Sequence, residues 1–448
     1  MLIKQSLDTG TIGPITSMKS FQDSFGPLTA TTHGTVVSAI LLPATFTGLF
    51  AGNLADIYGR AIALIVGSTI FGIGAGLEAS AQSLSIFIFG RVIAGMGEGL
   101  FLGNLAVYVC EIAPARRRGP LASLTSFLIV AGLASGYFLS YGTARMPGTS
   151  MSWRIPLIFQ AVVSFSFAAT CFTLPPSPRW LHSKGRFQDA RASLMRLGLA
   201  SSELEEMADE SDDITVQRSF AESVKTTFRD YAKVFQSESR SRAALACFFM
   251  AFQQFSGIDG LLFYAPLLFQ QAGLASEQAS FLASGVSALA MLAVTIPASI
   301  YCDHWGRRTS TIVGGVLLTI TMLLIGTLYA ANVVHGDSGV GRWIVIACIY
   351  IFACVYSATW AISFRIYASE IQLSSTRASA TSLAQSSNWV RGSLAVWMTL
   401  ADSYSLPTGS LPSRHLFYSL ALLLEHTSSL GSRVSSVSSS VSAFPLYD

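Results

Sequence analysis

Asp56-Ile-Tyr-Gly59-Arg60 recurs as Asp303-His-Trp-Gly306-Arg307, and each copy closes one long apolar run and opens the next. A second pair follows in the same order, Glu111-Ile with Arg118 seven residues on and Glu370-Ile with Arg377 seven residues on. Two motifs repeated in one order mark a duplication, so the chain reads as two related bundles of apolar segments. Of its 448 residues 51% are hydrophobic and only 12% charged, with a mean hydropathy of +0.52. A soluble domain carries about 25% charged residues. The composition is that of a membrane protein.

Working outward from the repeats, apolar spans occupy residues 34–55, 61–81, 85–110, 121–141, 153–174, 243–271, 280–301, 311–332 and 343–368. A hydrocarbon core about 30 Å thick needs roughly 20 apolar residues per helix. Backbone amides in lipid must bond within their own segment, so every span is predicted helical and the fold all-α. An incomplete span surrounds Asp8. Between the bundles, Pro175 to Arg242 holds 11 acidic and 11 basic residues and reads as a solvated loop. The predicted organisation is an N-terminal helical half (1–174), a central loop (175–242), an incomplete C-terminal half (243–390) and a divergent Ser-rich tail (391–448). Arg60, Arg116, Arg117, Arg118, Arg307, Arg308 and Arg377 fall on the side of that loop, which the Lys/Arg bias makes cytosolic. The net charge of +3 is dispersed and gives no footprint for a nucleic-acid partner.

Each repeated motif sets carboxylates beside guanidinium groups at the cytosolic helix ends: Asp56, Arg60, Glu111 and Arg118 in the first half, Asp303, Arg307, Arg308, Glu370 and Arg377 in the second. Ion pairs that lock the halves together in one state and part in another are what alternating access requires. Basic loops that merely orient the helices are the plainer reading of a single copy; the repetition favours gating. The six cysteines show no CxxC spacing and read as small apolar packing residues, so neither a metal nor a cofactor is expected. The glycine runs at Gly72 and Gly95 lie inside spans with no preceding strand and are close-packing glycines rather than a dinucleotide fingerprint. His182, His304 and His335 are isolated, and no nucleophile–base constellation appears, so an enzyme is not expected.

"GRVIAGMGEG" from Gly90, "EIAPARRRG" from Glu111, "PPSPRWL" from Pro175, "QQFSGIDGLLFYAP" from Gln253, "DHWGRR" from Asp303, "SEIQLSSTRA" from Ser369 and "SSNW" from Ser386 carry a resemblance. Over residues 8–390 the chain resembles the sugar porter family of the major facilitator superfamily, fungal sugar and polyol permeases above all. The resemblance implies two six-helix halves with a cavity between them near the bilayer midplane, a sugar or polyol as cargo, and a multi-pass protein of the plasma membrane. It also implies proton coupling at Asp8, where proton-driven members carry Asp, with Arg91 as its partner. An intramembrane carboxylate is costly unless paired, and desolvation and a nearby Arg act on its proton affinity in opposite directions. A static Asp8–Arg91 pair that only holds helices together is the other reading. Glu98, seven residues past Arg91, is either a second proton site or an acceptor lining the cavity.

For the cargo, Gln253 and Gln254 match the family's hydroxyl-binding amides, and an amide both donates and accepts, as a sugar hydroxyl does. Phe263, Tyr264 and Trp389 match its apolar and stacking surface. Taken alone, a Gln-Gln pair in a span could equally be interhelical glue, although Gly257 and Pro266 nearby favour a cavity. This chain departs from the pattern at Ser126 and Met291, where polar amides are usual, at Asp259 in place of Asn, and at Arg365 in place of Trp. Asp259 and Arg365 either pair across the cavity, since a charge at mid-helix costs about 2.5–3.5 kcal/mol, or Arg365 receives an anionic sugar acid. Seven residues precede Asp8, and no run of 18 apolar residues follows Trp389. The first helix is therefore expected to be incomplete and the last two missing or degraded. The expected function is sugar or polyol transport by alternating access with proton symport; the alternative is a non-transporting sensor or an inactive truncated relative.

Overall fold

A computed structural model describes residues 2–112, 118–146, 149–197, 225, 228, 229, 231–236, 239–274, 276–331, 334, 339–372 and 379–390, and their regular structure is entirely helical. The first half comprises α1 (Leu2–Ser17), α2 (Leu41–Tyr58), α3 (Arg60–Ser80), α4 (Leu84–Ile112), α5 (Arg118–Thr143) and α6 (Met151–Cys171). Two short helices of the central loop, Pro178–Ser183 and Phe187–Leu197, precede the second half. That half holds α7 (Arg240–Phe255), α8 (Glu277–Trp305), α9 (Arg307–Ala330), α10 (Gly341–Ala358) and α11 over residues 379–390. Among the described residues eight helices are long and apolar enough to cross a membrane, and α5 adds a shorter apolar run, Phe127–Thr143. Phe46, Phe159, Val162, Phe165, Ile312 and Ile320 stand exposed along them, the outward apolar surface a lipid solvent requires.

The repeated motif acquires a physical basis here. Gly59 is the single residue between α2 and α3, with φ of 98°, and Gly306 is its counterpart between α8 and α9, with φ of 73°. Backbone at such angles favours a residue without Cβ, so each half turns a one-residue corner that only this glycine makes without strain.

Two of the apolar runs divide into shorter helices, the first beside Gly257 and Pro266 as its residues imply. Residues 243–271 divide into α7, Ile258–Phe263 and Ala265–Gln271, parting at Gly257, whose φ is 82°, and at Tyr264. Residues 343–368 part at Thr359, between α10 and the helix Trp360–Glu370. The Val355 carbonyl accepts from both the Thr359 amide and the Thr359 hydroxyl, which closes the last turn of α10. Around Asp8 the chain forms a helix of 16 residues with Pro14 inside it. The expectations about the tail 391–448 and about Arg377 lie outside the described residues, as do the side chains of Arg118, Ser126 and Asp303.

On the face opposite the central loop, Phe21, Phe25, Phe87 and Trp153 pack edge to face and close the first half. Arg154 on α6 donates to the carbonyls of Ala79 (2.7 Å) and Ala81 (2.9 Å), capping the end of α3 where a cation is favoured. The halves meet on this same face. The Lys19 amide donates to Glu277 (2.9 Å), Tyr137 donates to the Leu262 carbonyl, and α1 at Gly13 lies against the Phe263 carbonyl.

Candidate functional site

In the first half, Arg91 projects from α4 into the interior and is fully buried. Its Nη1 donates to both oxygens of Asp8, at 2.7 and 2.9 Å, and its Nη2 donates to the Val37 carbonyl at 3.2 Å. Asp8 is itself 4% exposed. Around the pair, Gln160 of α6 donates to the Thr11 hydroxyl, which donates to the Asp8 carbonyl. This extends the polar network across three helices. Glu98 is buried farther along α4 and acts on Arg91 through its charge. The carboxylate in ion-pair contact besides Asp8 is Glu78 of α3, whose Oε2 lies 3.7 Å from Arg91 Nη1. Sequence reasoning passed over Glu78, although it is the only acidic residue in the apolar run 61–81 and so the signal was present.

At the corners of the repeats, Arg60 bonds Asp56 and both oxygens of Glu111, tying the α2–α3 corner to the end of α4. Arg307 Nη2 donates to Glu370 at 3.1 Å, tying the α8–α9 corner to the helix Trp360–Glu370. The two clusters repeat one design, and among the described residues the ion pairs of each lie within one half. Arg308 is exposed beside the second.

In the second half, Gln253 and Gln254 occupy the last turn of α7, beside its break. Gln254 Nε2 donates to Asn388 Oδ1 at 2.9 Å, Asn388 Nδ2 donates to the Met250 carbonyl at 2.9 Å, and Gln253 Nε2 donates to the Trp360 carbonyl at 3.3 Å. The amides are therefore interhelical links, joining α7 to α11 and to the helix Trp360–Glu370. Gln254 Oε1 is nonetheless buried with no hydrogen-bond partner, an acceptor left over once the links are made. Asn388 of the SSNW motif, which its sequence context alone does not single out, is the hub of the cluster.

Asp259 lies within the electrostatic reach of Gln254 and of Arg365, which is exposed. Asp259 and Arg365 thus face each other as charges without forming one of the ion pairs within 4.0 Å found among the described residues. Phe263 and Tyr264 stand at the seam between the halves: Phe263 is buried with its carbonyl against Gly13, and Tyr264 meets His33 edge-on at 5.0 Å. Trp389 is buried with its ring directed at Gly48 of the first half, and Met291 is buried in the core of the second.

A family model described as Sugar (and other) transporter matches residues 3–412, which carries the match past Trp389, where the quoted motifs end. The chain belongs to the sugar porter family. A glucose transporter of Staphylococcus epidermidis is 32% identical over 336 residues, spanning 75% of this chain and 71% of that protein. A high glucose sensor of Saccharomyces cerevisiae is 30% identical over 440 residues, spanning 95% of this chain and 54% of the sensor. Among solved structures, the proton:xylose symporter XylE superposes with a TM-score of 0.76 at 21% identity, covering 96% of this chain and 94% of that one. That likeness establishes the major facilitator fold. The family is one of membrane transporters, and no enzyme stands among these relatives.

Proposed function

We propose that this sugar porter family member carries a sugar or polyol across the membrane by alternating access, driven by a proton taken up at Asp8. The observation that carries the reading is the buried Asp8–Arg91 pair, held by two hydrogen bonds inside the apolar first half. A buried pair of this kind binds a proton only when its geometry changes, because burial and the guanidinium pull the carboxyl in opposite directions. A rocking of one half against the other alternates those two influences. The amide cluster of Gln253, Gln254 and Asn388 supplies the cargo site, with Gln254 Oε1 as the free acceptor for a hydroxyl. The central loop faces the cytosol, and the plasma membrane is the expected location, in accord with the Lys/Arg bias.

In proteoliposomes holding the full chain, an inward proton gradient is expected to drive uptake of D-glucose or D-xylose above its equilibrium level. An uncoupler is expected to return it to that level. Uptake indifferent to both would overturn proton coupling while leaving facilitated transport standing. At the cargo site, Asn388→Ala removes the bonds to Gln254 and to Met250. It is expected to raise the half-saturating sugar concentration about tenfold, the equivalent of about 1.4 kcal/mol, as read from initial uptake rates. The likeness to a glucose sensor over 95% of this chain favours one second reading, substrate binding that signals without flux. Saturable sugar binding to the purified protein, with no uptake under any gradient, would select it.

A further inference from the structure

The first half buries two carboxylates against one guanidinium. Arg91 is 0% exposed, Glu78 1% and Asp8 4%. Asp8 takes both short hydrogen bonds from Nη1, while Glu78 Oε2 lies at 3.7 Å from it, in ion-pair contact but beyond hydrogen-bond distance. Among the described side chains, no second cation reaches Glu78. Arg154 of α6 spends its two Nη groups on the carbonyls of Ala79 and Ala81. Asp56 of α2 is engaged with Arg60 at the far end of α3. Glu98 of α4 adds a further negative charge near Arg91. One cation beside two carboxylates leaves a buried net negative charge if both are ionised, and a buried group in that position keeps its proton instead.

We infer that Asp8, Arg91 and Glu78 form one protonatable unit, in which a single guanidinium is shared by two carboxylates that hold one proton between them at neutral pH. In the arrangement seen, Asp8 is the carboxylate and Glu78 carries the proton. In the reciprocal arrangement the O–H bond at Glu78 Oε2 is broken, one forms at Asp8, and Arg91 turns to Glu78. Nothing is oxidised or reduced, and the guanidinium is never left without a counter-charge. This removes the main obstacle to protonating a lone Asp–Arg pair, which is the stranded buried cation. Glu78 is accordingly a positioning residue for proton coupling. That role rests on the symport reading; the shared proton itself does not.

The test is infrared spectroscopy of the purified full chain in lipid nanodiscs at neutral pH, without sugar. Wild type is expected to show a protonated-carboxyl stretching band with a component that disappears in Glu78→Gln and, separately, in Asp8→Asn, because either variant leaves one carboxylate matched to one guanidinium. Bands from other buried acids such as Glu98 remain in both. A spectrum unchanged in Glu78→Gln overturns the inference. So does a component that persists in Asp8→Asn, since it would mean that Glu78 is neutral by burial alone and shares nothing with Asp8. If Glu78→Gln fails to assemble, the Asp8→Asn comparison decides the matter. Failure of the symport reading shows in a different experiment, the wild-type response of uptake to a proton gradient, and leaves the infrared result standing.

Discussion

Arg91→Ala is expected to be the most damaging single substitution in the first half, costing about 3–5 kcal/mol, the range for stripping the partner from a buried charge. It removes the only cation bonded to Asp8 among the described residues, the contact to Glu78 and the link to the Val37 carbonyl in one step. The measurement is thermal unfolding in detergent, and a melting temperature within a degree or so of wild type would refute the assignment. Asp8→Asn is the informative contrast. It leaves Glu78 beside the guanidinium as a counter-charge, so the protein is expected to assemble and to lose uphill accumulation, not stability. The two variants separate the structural from the energetic part of one ion pair.

Gly13→Val is expected to abolish net uptake by a different route. A Cβ on Gly13 would sit 2.2 Å from the Phe263 carbonyl oxygen, backbone against backbone across the seam between the halves. No side-chain rearrangement relieves such a contact, so α1 and the helix Ile258–Phe263 must move apart, and the arrangement in which the halves join on that face becomes inaccessible. A carrier restricted to the other arrangement binds cargo and cannot complete a cycle. Uptake should fall at least tenfold while the melting temperature changes little, because the rest of each half is untouched. Normal uptake by Gly13→Val would show that this contact is not part of the working cycle.

These predictions depend on positions that the linear sequence presents very unevenly. The duplicated bundle was legible because the motif Asp56 to Arg60 and its copy at Asp303 are fixed by local constraints. A one-residue corner needs glycine at 59 and 306, and the end of a span needs charge. Asp8 and Arg91 were legible for a related reason, since an ionisable residue in an apolar segment is rare enough to stand out. Their pairing is what the family resemblance implied, and in the structure the two are bonded.

What the chain order left undecided was which groups share a neighbourhood. Glu78 stands out in its span as much as Glu98 does in α4, yet choosing between them requires knowing which face of α3 meets Arg91. The corner ion pairs are a similar case: the residues permit Arg60 and Arg307 to bond a carboxylate of their own half or of the other, and the described pairs, Arg60–Glu111 and Arg307–Glu370, are of the first kind. Phe263 and Tyr264 read as stacking surface in sequence and lie in the seam against Gly13 and His33, because the break at Tyr264 redirects the chain between them and the following helix.

The sequence by itself therefore determined that this chain is a duplicated helical membrane bundle with ionisable residues inside its spans, because insertion into lipid and turn geometry act residue by residue. Only the tertiary structure decided which carboxylates share the guanidinium and where the two halves touch, because these are distances between elements that lie far apart along the chain.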